Sequence, residues 1–369
     1  MIAADVAVTP YIEEIEAVAH RGHKDDSTEN LLLAFLELYE DHTALIENFA
    51  HVFLRRAAEQ GLEFTPRAFR LSFLTAVKLF LRMRDMKNYE NFSLHSWKHV
   101  LLQCVTGPSD EFVQYCLRDV STVKIYRYAA LQVLGSLLHT SHHLLNSGLH
   151  ILDGGCSINI GLKCLNDAAI FKQIGVAPEI LKILGGNTVP NFPLNYALGI
   201  DKYPPSLERT LASLFPSEVN VWESLYTKLY YLRKEKMHYR QQDILYMDEY
   251  EEYKGTFDVV FLSSLLRRFP PHLIADVLVQ VNYVTSYQSF LVINEQVSKD
   301  TIEGGGEYAT FVLPKYMLDR LVQQSRPVID LYELLNVAFQ IFQYPDENCE
   351  YVMPGKDFEA FIQLCTSAR

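Results

Sequence analysis

The first part of the chain carries hydrophobic residues at intervals of three and four, the spacing of one helix face. Leu32, Phe35, Leu36 and Tyr39 are an example, and an Asp/Ser/Thr cluster suited to capping a helix N-terminus precedes them. Further helices are predicted from Thr65-Pro66 onward and after Pro108, whereas no β alternation appears before about residue 149. The front of the chain is therefore predicted to be all-helical.

From His150 onward, short apolar runs alternate with helical stretches. The runs are LHILDG, YALGID, MHYRQQD, FDVVFLS and SFLVINE. Strands that alternate with helices are typical of βαβ units and a parallel sheet. We therefore predict two domains: residues 1–146, a helical domain that supplies a substrate wall or a dimer surface, and residues 147–369, an α/β domain with a doubly wound, mostly parallel sheet.

Composition and charge narrow the function classes. A chain of 369 residues is long for a single core, and 49% hydrophobic with 21% charged residues indicates a soluble globular protein. The formal net charge of -12 disfavours a nucleic-acid partner. The sequence contains neither an apolar run long enough to span a membrane nor a signal peptide pattern, and its six cysteines form no CxxC pair. We predict a cytoplasmic protein with free thiols.

Histidines His139, His142 and His143 could share part of a helix face. No HExxH pattern and no carboxylate at metal-ligand spacing accompanies them. We therefore predict a polar helix end here and no metal site.

The stretch HILDGGCSINIGLKCL, residues 150–165, reads as a buried strand, a glycine-rich turn and a helix. Asp153 would lie at the carboxyl edge of the sheet, where ligands bind in open α/β folds. Gly154 and Gly155 allow a tight turn, and the next helix would present N-terminal amides to a ligand. The acid precedes the glycines, unlike the GxGxxG turn of nicotinamide-binding proteins.

This order resembles the DxGxG loop of class I S-adenosylmethionine-dependent methyltransferases. The resemblance implies S-adenosylmethionine as the cofactor, with the loop around its amino-acid part. Ser157 and Asn159 stand where that family has its second and third glycines. Asparagine tolerates a left-handed backbone, so we predict a working loop in which these two side chains bind the cofactor or lock the turn.

Three later stretches follow the family's order. GIDK resembles the end of its second strand, QQDI the third-strand segment and FDVVFLSS the fourth strand with its exit. The resemblance implies that Asp201 binds the ribose hydroxyls, that Asp243 and Ile244 lie at the adenine, and that Lys202 and Ser263 line the site. A plain N-cap is the alternative for Asp243, and helix caps are the alternative for Ser263 and Ser264. NVAFQIFQY and FEAFIQLCT would supply the last strands, the second inserted antiparallel as in the family.

The substrate side is less defined by the sequence. Glu295 follows the fifth strand and is the best-placed acid for a catalytic role. Residues 303–317 are predicted to form a mobile segment over the substrate, with Glu307, Tyr308 and Tyr316 as contacts, or else a surface loop. Tyr308 is a second candidate for a catalytic role. The unusually long gap before Asp201 predicts that residues 174–195 are an insertion, a lid or part of the substrate wall.

The resemblance implies methyl transfer to an acceptor, which the acidic surface and helical front suggest is a small molecule. One alternative keeps the cofactor but moves or cyclises its 3-amino-3-carboxypropyl arm, releasing methylthioadenosine. Another is a non-catalytic cofactor-binding or interaction protein with a degenerate site. A homodimer is compatible with the helical front.

Overall fold

A computed structural model describes residues 7–20, 25–118, 120, 123–141, 148–172, 174–297, 307–324, 326–345 and 349–367. Its α-helices are α1 (Thr9–Ala19), α2 (Asp26–Asp41), α3 (Thr43–Glu59), α4 (Pro66–Arg82), α5 (Leu94–Val105), α6 (Asp110–Cys116), α7 (Tyr128–Ser141), α8 (Ile160–Cys164), α9 (Ala168–Phe171), α10 (Pro178–Ile183), α11 (Leu207–Ser213), α12 (Pro216–Tyr231), α13 (Pro271–Val284), α14 (Lys315–Gln323), α15 (Leu331–Val337) and α16 (Phe358–Ser367). Its strands are β1 (Leu149–Gly154), β2 (Gly175–Val176), β3 (Leu194–Asp201), β4 (Met237–Gln241), β5 (Phe257–Ser263), β6 (Thr285–Gln296), β7 (Tyr308–Pro314), β8 (Phe339–Tyr344) and β9 (Tyr351–Pro354).

The chain divides into two compact units. One comprises Met1–Thr122 together with Ser206–Lys228, and the other comprises Val123–Pro205 together with Leu229–Arg369. The predicted boundary at residue 146 differs from this division in two ways, because α7 groups with the sheet while α11 and most of α12 group with the helical unit. The first unit is thus assembled from two separate stretches of sequence.

The helical unit forms where the sequence signals place it. Asp25 caps α2 by accepting the Thr28 N–H, and Thr65 caps α4 by accepting the Ala68 N–H ahead of Pro66. The apolar faces of α1–α6 meet in a core rich in phenylalanine, in which Phe69 and Phe73 stack at 6.1 Å. The described residues of this unit contain no strand.

The sheet has nine strands in the order β2-β9-β8-β7-β6-β5-β1-β3-β4. Strands β4, β3, β1, β5 and β6 are mutually parallel, and all five were predicted. The chain runs outward from β1 through β3 to β4, then returns to place β5 on the other side of β1. This reversal opens a crevice at the carboxyl ends of β1 and β5, where doubly wound folds bind their ligands. The predicted α/β class is confirmed.

The far half of the sheet departs from the prediction. FEAFIQLCT is not a strand but helix α16, because its buried residues Phe358, Phe361 and Cys365 follow helical spacing. The antiparallel neighbour of β6 is instead β7, and β8 runs antiparallel to β7.

Residues 174–195, predicted to be an insertion that forms a lid or part of the substrate wall, contribute a short strand to the sheet. Gly175 and Val176 pair in parallel with Tyr351 and Val352 of β9, at the sheet edge opposite β4. The insertion therefore extends the sheet, since its short β2 covers an edge strand that would otherwise expose unpaired backbone groups.

Candidate active site at the carboxyl edge of the sheet

Asp153 ends β1 inside the protein. It is 1% exposed, and its Oδ2 accepts a hydrogen bond of 2.6 Å from the Tyr128 hydroxyl. Burial raises the pKa of Asp153 to about 8; the Tyr128 hydrogen bond opposes the rise and the nearby Asp201 charge adds to it. The carboxyl thus changes protonation near neutral pH, where a cationic ligand would favour its charged form.

The two positions after Asp153 favour glycine for different structural reasons. A Cβ on Gly154 would lie 2.6 Å from Leu262 Cδ2 and 2.8 Å from Ile244 Cδ1, too close for any side chain. Gly155 has a φ of +77°, which favours glycine. The strand can therefore turn sharply here.

Ser157 and Asn159 both adopt the left-handed conformation, with φ of +53° and +55°. These are the positions where the resembling family carries glycine, so the backbone keeps the loop shape although the residue types differ. Each non-glycine residue costs about 1 kcal/mol or more in this region, and surrounding contacts must offset that cost.

The side chain of Asn159 supplies such a contact. It is 3% exposed, and its Nδ2 donates to the His238 carbonyl at 2.8 Å. Gly199 of β3 makes room for it, because a Cβ there would lie 2.4 Å from Asn159 Oδ1. The Asn159 side chain thus lies beneath the loop and fixes the turn against the neighbouring strands.

Asp201 ties the loop to the end of β3. Its Oδ2 accepts the Ser157 N–H at 2.8 Å and its Oδ1 accepts the Tyr203 N–H at 3.0 Å. Burial raises the pKa of Asp201 and the two N–H donors oppose that rise. A carboxylate has about four acceptor positions, so two remain for ligand hydroxyls.

Asp243 and Ile244 follow β4 on the same edge. Asp243 Oδ1 accepts the Leu245 N–H at 3.1 Å, so the capping alternative is present, while Oδ2 lies 3.8 Å from Lys202 Nζ. Ile244 is buried and packs against Gly154. The structure therefore brings Asp153, Gly154, Asp201, Lys202, Asp243 and Ile244 to one edge of three adjacent strands.

Arg127, which sequence reasoning missed, lies at the ends of β5 and β7. Its guanidinium donates to Ser264 Oγ at 2.9 Å and to the Tyr308 hydroxyl at 3.4 Å. Ser264, next to Ser263, has a φ of +53° and donates its N–H to the Asn294 carbonyl. The sequence signal for Arg127 is an arginine directly before Tyr128 at the start of α7.

Glu295 at the end of β6 is 1% exposed. Its Oε1 lies 3.4 Å from Arg267 Nε and accepts the Gln296 N–H at 3.1 Å, whereas Oε2 has no hydrogen-bond partner within the described part of the chain. Burial raises the pKa of Glu295, while Arg267 opposes the rise. A buried carboxyl with one unoccupied oxygen and a raised pKa suits proton transfer.

The predicted substrate segment is wrong for most of its length. Tyr308–Pro314 is a strand between β6 and β8 in which every residue is buried, so both faces of the sheet are covered there and no polar alternation appears. Tyr308 is 1% exposed and contacts Arg127, while Glu307 and Tyr316 are exposed. Residues 303–306 lie outside the described residues.

Among the residues that the structure describes, no three His, Cys, Asp or Glu side chains are grouped to hold a metal ion; His142 and His143 lie outside that set. No described helix is long and apolar enough to cross a bilayer.

Comparisons with known proteins give likenesses to solved structures only. No family model and no curated protein matches the chain. The chain is similar to phosphoethanolamine N-methyltransferase 2 from Haemonchus contortus in complex with S-adenosyl-L-methionine (15% identity over 57% of this chain and 39% of that chain, TM-score 0.28). It is also similar to an arsenic(III) S-adenosylmethionine methyltransferase from Chlamydomonas reinhardtii (21%, over 40% and 38%, TM-score 0.23) and to an S-adenosylmethionine-dependent methyltransferase from Mesorhizobium loti (17%, over 43% and 51%, TM-score 0.23).

The chain spans about half the length of the first solved structures that it matches. At such TM-scores the likeness carries no weight of its own. The sheet order and the geometry of the loop after β1 are the independent grounds for a fold of this type.

Proposed function

We propose that this protein is an S-adenosylmethionine-dependent methyltransferase that acts on a small-molecule acceptor. The observation that carries the proposal is the connection between the β1 loop and Asp201. The loop makes a left-handed turn at the switch point of the sheet, and its Ser157 N–H donates to Asp201 at 2.8 Å. The Asp201 carboxylate keeps acceptor positions for a ligand. This arrangement suits a ligand that carries both a cationic amino-acid part and ribose hydroxyls.

The residues at the carboxyl edge of the sheet fit that cofactor. Asp201 would accept the ribose hydroxyls, Asp243 and Ile244 would lie at the adenine, with Lys202 and Ser263 beside the bound molecule. Asp153, held by Tyr128, would stabilise positive charge at the loop. The cofactor supplies a methyl group on a sulfonium, which is already electrophilic, so the protein's part is to align the acceptor and exclude water.

Glu295 is the group we propose for the proton of the acceptor. Its unoccupied Oε2 is inside the protein, and its raised pKa allows the carboxylate to take a proton at neutral pH more readily than an exposed glutamate would. We expect Glu295→Gln to lower kcat while leaving cofactor affinity unchanged.

The experiment that tests the proposal has two stages. Calorimetric titration with S-adenosylmethionine and S-adenosylhomocysteine measures binding, and mass analysis after incubation with pooled small-molecule acceptors identifies the product. S-adenosylhomocysteine as product supports methyl transfer, whereas methylthioadenosine would mean that the aminocarboxypropyl arm reacts. Absence of binding would overturn the proposal and favour a non-catalytic role.

A further inference from the structure

A cavity of about 680 Å³ lies on one face of the sheet unit, beside α8 and the first half of β4. Its wall includes Lys163, Tyr230, Tyr231, Lys234, His238 and Tyr239. The volume falls in the range of small-molecule pockets. Asp153, Asp201 and Asp243 do not belong to its wall, whereas Asn159 of the β1 loop does, so the cavity adjoins the candidate active site without containing its acids.

The cavity gathers positive charge in an acidic protein. Lys163, Arg233 and Lys234 line it, against the single acid Glu235, in a chain with a net charge of -12. None of the three cations forms an ion pair with a carboxylate of the described ranges; Lys163 Nζ donates to the Tyr230 carbonyl at 2.7 Å and Lys234 Nζ to the Leu165 carbonyl at 3.2 Å.

These lysines retain capacity for a ligand. An ammonium group has three donors, so each keeps two beyond its carbonyl bond. Burial lowers the pKa of Lys163, the effect expected of a cation held without a counter-charge. An anionic ligand would supply that counter-charge.

Aromatic rings form the other part of the wall. Tyr231 is 71% exposed, unusual for so large a side chain, and its ring meets that of Tyr230 edge-on at 5.1 Å. Tyr239 is held in place by donating its hydroxyl to the Tyr203 carbonyl at 2.9 Å. Exposed aromatic faces beside cations suit a flat ring that carries a negative group.

We propose that this cavity binds a small anion bearing a flat ring, of the nucleoside-monophosphate class, and that its occupancy is coupled to the β1 loop. The coupling element is Asn159, which lines the cavity, belongs to the loop and donates to the carbonyl of His238, another wall residue. A ligand that shifts Asn159 alters the loop, and by linkage a ligand at the loop alters the cavity equally. The coupling rests on the proposed function, whereas the anion site does not.

The test uses uridine 5′-monophosphate, uridine and inorganic phosphate as probes, because a pyrimidine avoids the proposed adenine position. Titrations are run with saturating S-adenosylhomocysteine present. We expect the monophosphate to bind at least about tenfold more tightly than uridine or phosphate alone, the effect of one charge-assisted hydrogen bond. Equal affinities for the monophosphate and uridine, or no binding of the monophosphate at millimolar concentration, would overturn the anion site.

Variants locate the binding. Arg233→Gln with Lys234→Gln should reduce monophosphate affinity to roughly that of uridine, a tenfold loss or more, and Tyr231→Ala should weaken both. Lys356→Gln, an exposed lysine outside the cavity, is the matched control and should change nothing. Thermal melting confirms that each variant is folded. Unchanged monophosphate affinity in the double variant would overturn the proposal.

Coupling is read from the affinity for S-adenosylhomocysteine with and without the monophosphate. We expect a change of at least about threefold, reduced in Asn159→Gly. An identical affinity under both conditions would overturn the coupling while leaving the anion site in place. If S-adenosylhomocysteine does not bind at all, the proposed function fails, and the monophosphate titration without it still decides the anion site.

Discussion

At the scale of single residues, the candidate site depends on a buried carboxyl and a tyrosine hydroxyl. Asp153 and Tyr128 are both buried and lie 2.6 Å apart. The position of Asp153 could be predicted because a strand, an acid and two glycines follow one another in the sequence. Tyr128 and Arg127 were not predicted, because their roles arise from contacts with strands more than twenty residues away, which periodicity does not encode.

The raised pKa of Asp153 makes the stability of the free protein depend on pH. Because its folded-state pKa is about 8 rather than 3.8, the folded state binds the proton more tightly than the unfolded chain. The resulting stabilisation is fully present below pH 3.8 and is lost as the pH rises through about 8. We expect the free energy of unfolding to fall less between about pH 6 and about pH 9 in Asp153→Asn than in the wild type, by up to about 1.4 kcal/mol per pH unit. Urea denaturation at several pH values measures it, and parallel curves would contradict the pKa.

Asp201 should have two roles: it binds the ligand and it holds the β1 loop. Replacing it with alanine removes the acceptor proposed for the ribose hydroxyls and frees the Ser157 and Tyr203 N–H groups. We expect Asp201→Ala to weaken S-adenosylmethionine binding by about 1.5–3 kcal/mol, the range for hydrogen bonds to charged groups. Glu252→Gln, at an exposed acid on the same unit, is the control; equal calorimetric affinities for both variants would remove Asp201 from the site.

Ser157 and Asn159 should respond differently to glycine. Ser157 bonds Asp201 through its backbone N–H, which glycine retains, whereas the Asn159 bond to His238 uses the side chain. We expect Asn159→Gly to lose at least several-fold in cofactor affinity, about 1 kcal/mol, and more than Ser157→Gly loses. Isothermal titration separates the two, and wild-type binding by the double variant would mean that the loop is degenerate.

At the scale of elements, the five parallel strands were predictable, whereas β7 and α16 were not. β1, β3, β4, β5 and β6 were recognised because turns and acids punctuate them. β7 was read as a loop over the substrate because three glycines precede it, although it is buried from Tyr308 to Pro314. α16 was read as a strand because a short apolar run fits either period.

Helix α8 illustrates how one element constrains another. A Cβ on Gly161 would lie 1.9 Å from Tyr128 Cζ, and Tyr128 cannot yield easily because Asp153 and Phe261 hold it. Alanine normally stabilises a helix relative to glycine, but here the clash dominates. We expect Gly161→Ala to destabilise the protein by about 2 kcal/mol or more in urea denaturation.

Gly186 provides the comparison for that substitution. A Cβ there would have nothing nearer than 3.8 Å, so Gly186→Ala should be close to neutral. If Gly161→Ala is as stable as Gly186→Ala, Tyr128 is not held as tightly as the geometry indicates.

At the scale of the whole molecule, the sequence indicated two domains but not their composition. Residues 206–228 read as a helical connection between two strands, the usual βαβ element. They group instead with the N-terminal helices, where Lys78 Nζ donates to the Leu214 carbonyl and Arg82 meets Glu208 and Glu223 at 2.6 Å each. Such long-range pairs of charges leave no local signature.

In the ion pairs of Arg82 with Glu208 and Glu223, we expect removal of the acids to cost more stability than removal of the arginine. The Arg82 side chain is 0% exposed and its Nη1 lacks a partner within the described residues, while Glu208 and Glu223 are about one-third exposed. Removing both acids leaves a buried charge unpaired, whereas removing the arginine leaves acids that water can reach. We expect Glu208→Gln with Glu223→Gln to cost about 3 kcal/mol or more in denaturant unfolding, and Arg82→Met to cost less.

The exposed pair Arg56 and Glu59 serves as a reference. Glu59→Gln should change stability by less than about 0.5 kcal/mol. If Arg82→Met loses more unfolding free energy than the double acid variant does, the unpaired buried arginine is not the more costly defect.

The discontinuity of the helical unit also has a consequence for biosynthesis. A ribosome delivers the chain from the N-terminus, so α4 emerges with Arg82 and Lys78 long before α11 and α12 supply their partners. Between those events β1 and β3 are already synthesised. The front unit therefore cannot complete its fold until Ser206–Lys228 has left the ribosome, and nascent chains that end between β1 and residue 206 should expose apolar surface that recruits chaperones.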